Sequence, residues 1–263
     1  MRSPAHTLLV GSWNIREILP VGAQPESRRQ ACQEVVDTIR LTGMDILAIQ
    51  ELDFTSSGES RTLRRIAEDT DLEYVAGFPL SPSSYFSTES AGVGIASRYP
   101  ILDQTHTTFR NPHLAARING RLLTTHEKGL LGALTADPDG NMFWVLSLHS
   151  VPYHVFQRHA IDVDFDPIWT DMALKIGAFA DKPLIVCGDF NTSHRELLLD
   201  RSPVHSLLSG IVGGQATYNG MAADDILVTS QFKEVSVQLV PGFSDHILCL
   251  AELEPSLKPP GNY

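Results

Sequence analysis

Cysteine is scarce: Cys32, Cys187 and Cys249 are the only three in 263 residues. An odd number with no ligand-like spacing implies no disulfide framework, and Cys187 and Cys249 fall inside apolar runs, where a thiol packs as a small core residue. No apolar run approaches the ~20 residues that a membrane span needs. The N-terminus also lacks a signal peptide's charged region and continuous apolar stretch, so a soluble, cytoplasmic protein is expected. Basic residues are outnumbered, 20 Lys and Arg against 31 Asp and Glu, for a net charge of -11. Non-specific binding to a polyanion needs a positive footprint, so this balance counts against a dedicated duplex-DNA binder and leaves room only for a local basic patch. Histidine and cysteine nowhere take a zinc spacing such as H-E-x-x-H, and Gly92 and Gly94 make no G-x-G-x-x-G between a strand and a helix. Repeats, low-complexity tracts and linkers between separate cores are missing too. One domain is expected, with its core over about residues 7–253.

What the chain does hold is a set of short apolar runs, each bounded by a side chain able to bind a hard cation or move a proton. Leu184 to Cys187 reads as a buried strand, after which Gly188 lets the backbone turn and present Asp189 and Asn191. In an α/β protein, functional groups collect at the C-terminal ends of strands. Alone, the same word is an ordinary Gly-Asp-x-Asn turn. It is not alone: Thr7 to Val10 leads into Ser12, Trp13 and Asn14, Ile46 to Glu51 ends on a carboxylate, and Phe143 to His149 ends on an imidazole. Asp245 and His246 stand directly before the apolar run Ile247 to Leu253.

Periodicity places the elements between these words. A helix is predicted from Ser27, its N-cap, to about Leu41, closed by Gly43, and a strand over Met44 to Gln50 that can lie parallel to the first. A second helix is predicted over Ser60 to Asp69, a short strand over Glu73 to Ala76, a surface loop over Phe78 to Ser90 and a strand over Val93 to Ser97. Thr105 to Arg121, which carries Arg110, Arg117 and Arg121, reads as irregular loop. The turn Asp137 to Gly140 joins Leu130–Thr135 and Met142–Leu148 into a hairpin. Pro167 opens a helix to about Ala180, and Val204 to Leu208 reads as a short helix. Asp225–Val228, Glu234–Leu239 and Ile247–Leu253 are the last strands. Short strands alternating with two or three helices predict an α/β protein of two packed sheets with helices outside.

Taken in order, SWN at Ser12–Asn14, QE at Gln50–Glu51, the strand ending on His149, GDFN at Gly188–Asn191, DDILV at Asp224–Val228 and SDH at Ser244–His246 resemble the endonuclease/exonuclease/phosphatase superfamily, the deoxyribonuclease-I-like phosphoesterases. The resemblance runs from about Leu8 to about Leu253. It implies a four-layer α/β/β/α sandwich of two mixed sheets, and a metal-dependent phosphoesterase in which an activated water attacks in line.

Such chemistry needs neutralised phosphoryl oxygens, an oriented water and a stabilised leaving oxygen. Glu51 and Asn14 offer oxygen ligands suited to Mg²⁺ or Mn²⁺, and Asp245, at the irregular start of a strand, can join them. Asp189 can orient or deprotonate the water, and Asn191 can hydrogen bond to the water or the phosphoryl group. His246 can act as an imidazolium or as the base, so the proton acceptor stays open between Asp189 and His246. By resemblance Asp224 orients a catalytic imidazole, with Asp225 its competitor, and His149 is a second imidazole that could protonate the leaving oxygen. The family more often continues that strand with Leu after the His. Here the chain reads HSVPYH, which makes Tyr153 and His154 candidates for substrate contact. Tyr218, after Thr217, resembles a family T-Y/F word with the same role. Arg117, with Arg110 and Arg121, could line a groove for a nucleic-acid backbone. Three readings follow: a phosphoesterase acting on a small or lipid phosphoester, a nuclease working through the Arg loop, and a non-catalytic binding module of the same fold. The last lacks the missing catalytic residue it needs.

Overall fold

The computed structural model describes residues 7–118 and 120–256. Along the chain come β1 (Leu8–Asn14), α1 (Arg28–Thr42), β2 (Ile46–Phe54), α2 (Arg61–Asp69), β3 (Tyr74–Pro82), β4 (Ser90–Ser97), β5 (Ile101–Thr108), β6 (Ala115–Ile118) and β7 (Arg121–Thr124). There follow β8 (Gly129–Ala136), β9 (Met142–His149), α3 (Asp166–Gly177), β10 (Leu184–Asp189), α4 (Glu196–Leu199), β11 (Leu208–Gly210), β12 (Asp224–Thr229), β13 (Phe232–Val240) and β14 (Leu248–Pro255).

Among the described residues, fourteen strands make two six-stranded sheets and a two-stranded ribbon. One sheet runs β13-β14-β1-β2-β4-β3, the other β11-β12-β10-β9-β8-β5, and β6 pairs with β7. Both large sheets are mixed. The first has its parallel pair at β1 and β2, the second at β9 and β10, and the other pairs are antiparallel. The parallel pairs sit centrally, where both faces are covered, which is why these runs read as continuous apolar words rather than alternating ones.

The strand period of two sorts their side chains into layers. Ile46 and Ala48 face the other sheet, where they meet Val145, Ile185, Cys187 and Ile226. Leu47 and Ile49 face outward onto Val35 and Ile39 of α1 and Leu63 and Ile66 of α2. On the second sheet Leu146, Leu184 and Val186 face outward onto Ile168, Trp169, Met172 and Ile176 of α3, with Leu198 of α4 beside them. The result is the four-layer α/β/β/α sandwich. At about 1.5–3 kcal/mol per buried large apolar side chain, these three apolar interfaces dominate the stability, and Cys187 and Cys249 lie fully buried in the middle one.

Local signals explain the element ends. Ser60 caps α2 by accepting from the Leu63 N–H at 3.1 Å, and Gly43 ends α1 in the left-handed region at φ 65°. Ser27 makes no side-chain cap, lying instead in a turn with Pro25 before α1 begins. Gly188 does not turn the chain. It stays within β10, and a Cβ there would meet the Leu148 backbone oxygen at 2.6 Å, so the glycine allows β9 and β10 to approach closely.

Three other expectations change. The Phe78–Ser90 loop is shorter, because β3 runs to Pro82 along the edge of its sheet. The Thr105–Arg121 stretch holds the end of β5 and the ribbon strand β6, whose weak apolar pattern reflects exposure on both faces. No helix forms at Val204–Leu208. The turn of helix lies at Glu196–Leu199, where four good helix formers stand together, whereas Pro203 withholds an N–H and Leu208 opens β11 opposite Thr229. Among the described residues, no helix is long and apolar enough to cross a membrane.

Candidate active site

The C-terminal ends of β1, β9 and β10 meet the starts of β12 and β14 at one end of the sandwich. Between the sheets, the Gln50 amide donates to the Ser147 hydroxyl at 3.2 Å and that hydroxyl donates to the Ile49 carbonyl at 2.9 Å, tying the two floors together. Glu51 is carried on a bulge where β2 slips against β4, with φ 48°, and the strand resumes to Phe54 rather than ending at the carboxylate. A bulge of this kind re-aims one side chain without ending the sheet.

Asp189 is the centre of the constellation and is 1% exposed. Its Oδ1 accepts the Asn191 N–H at 2.8 Å and its Oδ2 accepts from the Asn14 amide at 3.0 Å. The same Oδ2 lies 3.4 Å from Nε2 of His149 and 3.7 Å from Nε2 of His246. Burial raises the Asp189 carboxyl above its usual range, with His246, the Asn191 N–H and Asn14 pulling the other way. Asn191 itself has φ 53° and donates through its side chain to the Ser150 carbonyl at 3.1 Å.

His246 is held from several sides. Its Nδ1 is 2.8 Å from Asp224 Oδ2, its backbone N–H donates to the Ser244 hydroxyl at 3.2 Å, and its ring stacks on Tyr218 at 4.4 Å. Burial alone would lower its pKa, but Asp189, Asp224 and Asp245 outweigh burial and raise it to about 10. At neutral pH the ring is an imidazolium. Asp224 rather than Asp225 partners it, because Asp224 lies directly opposite Asp189 in the β10–β12 register while Asp225, opposite Gly188, turns to the other face and pairs with Arg195 at 3.1 Å.

His149 is 3.9 Å from Glu51 Oε1, and the Lys128 ammonium lies 3.1 and 3.0 Å from its two ring nitrogens. Burial, then Lys128 and His246, push the His149 pKa well below its usual value. Burial likewise raises Glu51, partly offset by Lys128 and His246.

Glu51, Lys128, His149, Asp189, Asn191 and His246 line a cleft of 320 Å³ together with Asp245, His154 and Tyr218, while Asn14 and Asp224 are buried and do not line it. Two expected contacts are not part of it. Tyr153 is 1% exposed, on a short 3₁₀ turn that points its ring into the core against Phe165 at 4.4 Å and Trp169 at 5.9 Å. Arg117 is exposed on β6 and does not line the cleft, which the ribbon reaches only through Leu123 and Thr124 of β7.

Arg16, Tyr85, His126 and Lys128 line the cleft without having been singled out in the sequence. Arg16, Glu17 and Ile18 have consecutive left-handed backbones at φ 51°, 52° and 52°, strain that tertiary contacts hold in place. Arg16 is 3.4 Å from Asp245 and lies over the Tyr85 ring. Glu17, 1% exposed, accepts from the Ser83 hydroxyl and from the Ser84 N–H at 3.0 Å, which fixes the loop that brings Ser84 and Tyr85 to the cleft. Burial raises the Glu17 carboxyl above its ordinary value against those two hydrogen bonds. A raised folded-state pKa means that this group's favourable contribution is present below the unfolded value and lost as pH rises through the folded one. Glu17→Gln removes that loss, so the variant's Tm minus the parent's is expected to grow from about pH 4 to about pH 7. Thermal melts across that range check it, and a difference that does not change with pH refutes it.

The donor set fits a hard divalent cation. Glu51 is 28% exposed and Asp245 27%, both opening on the cleft, and neither is closed off by a full set of hydrogen bonds. Asp189, Asp224 and His246 also offer one ligand atom each within 4.8 Å of one another, so this buried cluster could hold an ion. The short Asp224–His246 hydrogen bond already occupies two of those three groups, which makes the cluster better suited to orienting an imidazole.

The profile of the Endonuclease/Exonuclease/phosphatase family matches residues 11–246. None of the curated proteins compared with the chain matches it in sequence. Among solved structures, an endonuclease/exonuclease/phosphatase from Beutenbergia cavernae DSM 12333 superposes with a TM-score of 0.72 at 16% identity, covering 95% of this chain and 72% of that one. The human Nocturnin catalytic domain with bound sulfate gives 0.64 at 18% identity, covering 94% and 93%. A mannosyl-6-phosphatase of Bacteroides thetaiotaomicron VPI-5482 gives 0.58 at 14% identity, covering 94% and 99%. At these identities the likeness speaks for the fold, and the matched profile, spanning all the words from Asn14 to His246, speaks for the lineage: the chain belongs to the endonuclease/exonuclease/phosphatase family.

Proposed function

We propose that residues 7–253 form one catalytic domain, a metal-dependent hydrolase that cleaves a small phosphoester with a water activated at Asp189. The observation that carries this reading is the run of contacts from Glu51 through His149 and Asp189 to His246 along a single cleft floor, with Asp224 buried behind His246. Glu51, Asn14 and Asp245 would hold Mg²⁺ or Mn²⁺, which when bound supplies charge neutralisation at the phosphoryl oxygens. Asp189 takes the proton of the water, since burial strengthens it as a base while His246 is already protonated. Asn191 has a second amide hydrogen for the phosphoryl oxygen beyond the one given to Ser150. His246, oriented by Asp224, offers its free N–H to the charge that grows on phosphorus-bound oxygen. His154 and Tyr218 form one wall for the substrate. The acidic balance and the modest cleft favour a small ester, and three buried free thiols favour a cytoplasmic setting.

A nuclease is the second reading, favoured by the way the β6–β7 ribbon borders the cleft while carrying Arg117 and Arg121 outside it. The test is a panel of single- and double-stranded DNA, RNA, a phosphomonoester and a generic phosphodiester, each with Mg²⁺, Mn²⁺ or EDTA. Turnover of the small esters alone is the expected result, and no turnover of any substrate would leave the non-catalytic binding module standing. Replacing Arg110, Arg117 and Arg121 together by Ala should leave small-ester kinetics unchanged. A raised KM for polynucleotides with a flatter salt dependence would instead establish the ribbon as a nucleic-acid groove.

A further inference from the structure

We infer that Arg195 is a positioning residue for this site: its guanidinium holds shut the open end of the β10–β12 ladder, where Asp189, Asn191 and Asp224 stand. The inference rests on the phosphoesterase reading above. Asp189 and Asp224 face each other in the last pair of that ladder, and beyond them the Phe190 N–H donates to the Ala223 carbonyl at 2.8 Å. Paired strands open first at their ends. This end carries the group that activates the water and the carboxylate that orients His246.

The guanidinium bridges the two chains just past that point. Toward β12 its Nη2 donates to the Ala222 carbonyl at 2.8 Å and to the Ala223 carbonyl at 3.0 Å, and its Nε pairs with Asp225 Oδ2 at 3.1 Å. Toward the segment that follows β10, its Nη1 donates to the Thr192 carbonyl, and its Cζ lies over the Phe190 ring, 4.4 Å from the ring centre. Asn191, between Phe190 and Thr192, has φ 53°, a left-handed backbone that persists only where surrounding contacts hold it. Asp225 is itself fixed, its Oδ1 accepting the Val212 N–H at 3.1 Å and the Ile226 N–H at 2.8 Å. The adjacent carboxylates therefore have separate tasks: Asp224 orients the imidazole, and Asp225 anchors the clamp. Only a planar group with its donors in a fixed fork reaches these four acceptors at once, and a Lys ammonium does not. The Arg195 side chain is 13% exposed and does not line the cleft, so it acts through these groups and not on substrate.

Arg195→Lys keeps a positive charge beside Asp225 and loses the span. Arg201→Met is the control, because Arg201 ties α4 to α3, donating to the Leu197 carbonyl at 2.6 Å and to Thr170 Oγ1 at 2.8 Å, and does not line the cleft. Amide exchange at Phe190 in the metal-free protein should speed up about tenfold or more in Arg195→Lys and stay at the parent rate in Arg201→Met. With saturating Mn²⁺ on the parent's best ester, kcat of Arg195→Lys should fall about 10²-fold with KM within about twofold, the loss that a displacement of about 1 Å in the reacting groups produces. The kcat of Arg201→Met should stay within about twofold of the parent whatever its loss of Tm. Asp225→Asn keeps an acceptor for the Val212 and Ile226 N–H groups and removes the anchor, so its kcat should fall about tenfold. Unchanged exchange at Phe190, or a kcat loss in Arg195→Lys no larger than in Arg201→Met, overturns the assignment and leaves the phosphoesterase reading intact. A parent that turns over no ester overturns both.

Discussion

Asp189→Asn is expected to lower kcat by about 10³-fold or more on the best phosphoester while the protein stays folded. The carboxamide has the shape of the carboxylate but cannot take a proton from water. Its Oδ1 can still accept the Asn191 N–H, which the parent holds at 2.8 Å. The other side is less forgiving: the new amide nitrogen faces the Asn14 amide nitrogen, which donates to this position at 3.0 Å, so two donors oppose each other. Asn14 can relieve the clash only by turning its amide, and its Oδ1 then gives up the Arg16 N–H it accepts at 3.0 Å. That rearrangement is local. Removing a buried negative charge also removes its desolvation cost, so the net change in Tm should be small. The His246 pKa should fall from its raised value, since Asp189 is the largest of the charges holding it up. A kcat within tenfold of the parent, with normal folding by calorimetry, would move the proton acceptor away from Asp189.

Glu51→Gln is the second large effect. Divalent affinity should drop on the order of 100-fold, and activity should return in part at high Mn²⁺. The side chain sits on a bulge with φ 48°, so its direction is fixed by the backbone, and no nearby acid can swing into its place without remaking the β2–β4 register. The amide keeps an oxygen ligand but loses the charge that a hard cation pairs with. Lys128, for which Glu51 is the largest charge opposing burial, then loses that support, and its pKa should fall further. Calorimetric titration of Mn²⁺ into parent and variant measures the first effect directly. Unchanged affinity, or full parental activity in excess EDTA, sinks the assignment of Glu51 to the metal.

Much of the site was legible because most of its groups are strand ends. Asn14, His149 and Asp189 each close an apolar run, and parallel pairing of β1 with β2 and of β9 with β10 brings those ends to one side. Lys128 was within reach of the same logic. Extending the predicted hairpin by one pair sets Gly129 opposite His149 and leaves Lys128 next to the imidazole. The choice between Asp224 and Asp225 was not legible, since it depends on which of them faces Asp189 across the ladder, and register is a property of two strands. Tyr153 misled because a polar, aromatic word such as HSVPYH gives no period by which to tell the inward ring from the outward one.

The sequence by itself determined the layer architecture, through apolar runs of strand and helix period, and the chemical identity of the carboxylates and imidazoles that end those runs. Tertiary structure decided the protonation of these groups and the walls around them. The pKa values of His149 and His246 move in opposite directions although both are buried: burial, then Lys128 and His246, lowers the first, while Asp189, Asp224 and Asp245 outweigh burial at the second. Arg16 and Tyr85 reach the cleft only because a left-handed turn and the buried Glu17 hold two distant segments together. Charge balance and strain of this kind depend on which groups come within a few ångströms of each other, and residues far apart in the chain acquire that proximity only when the two sheets close.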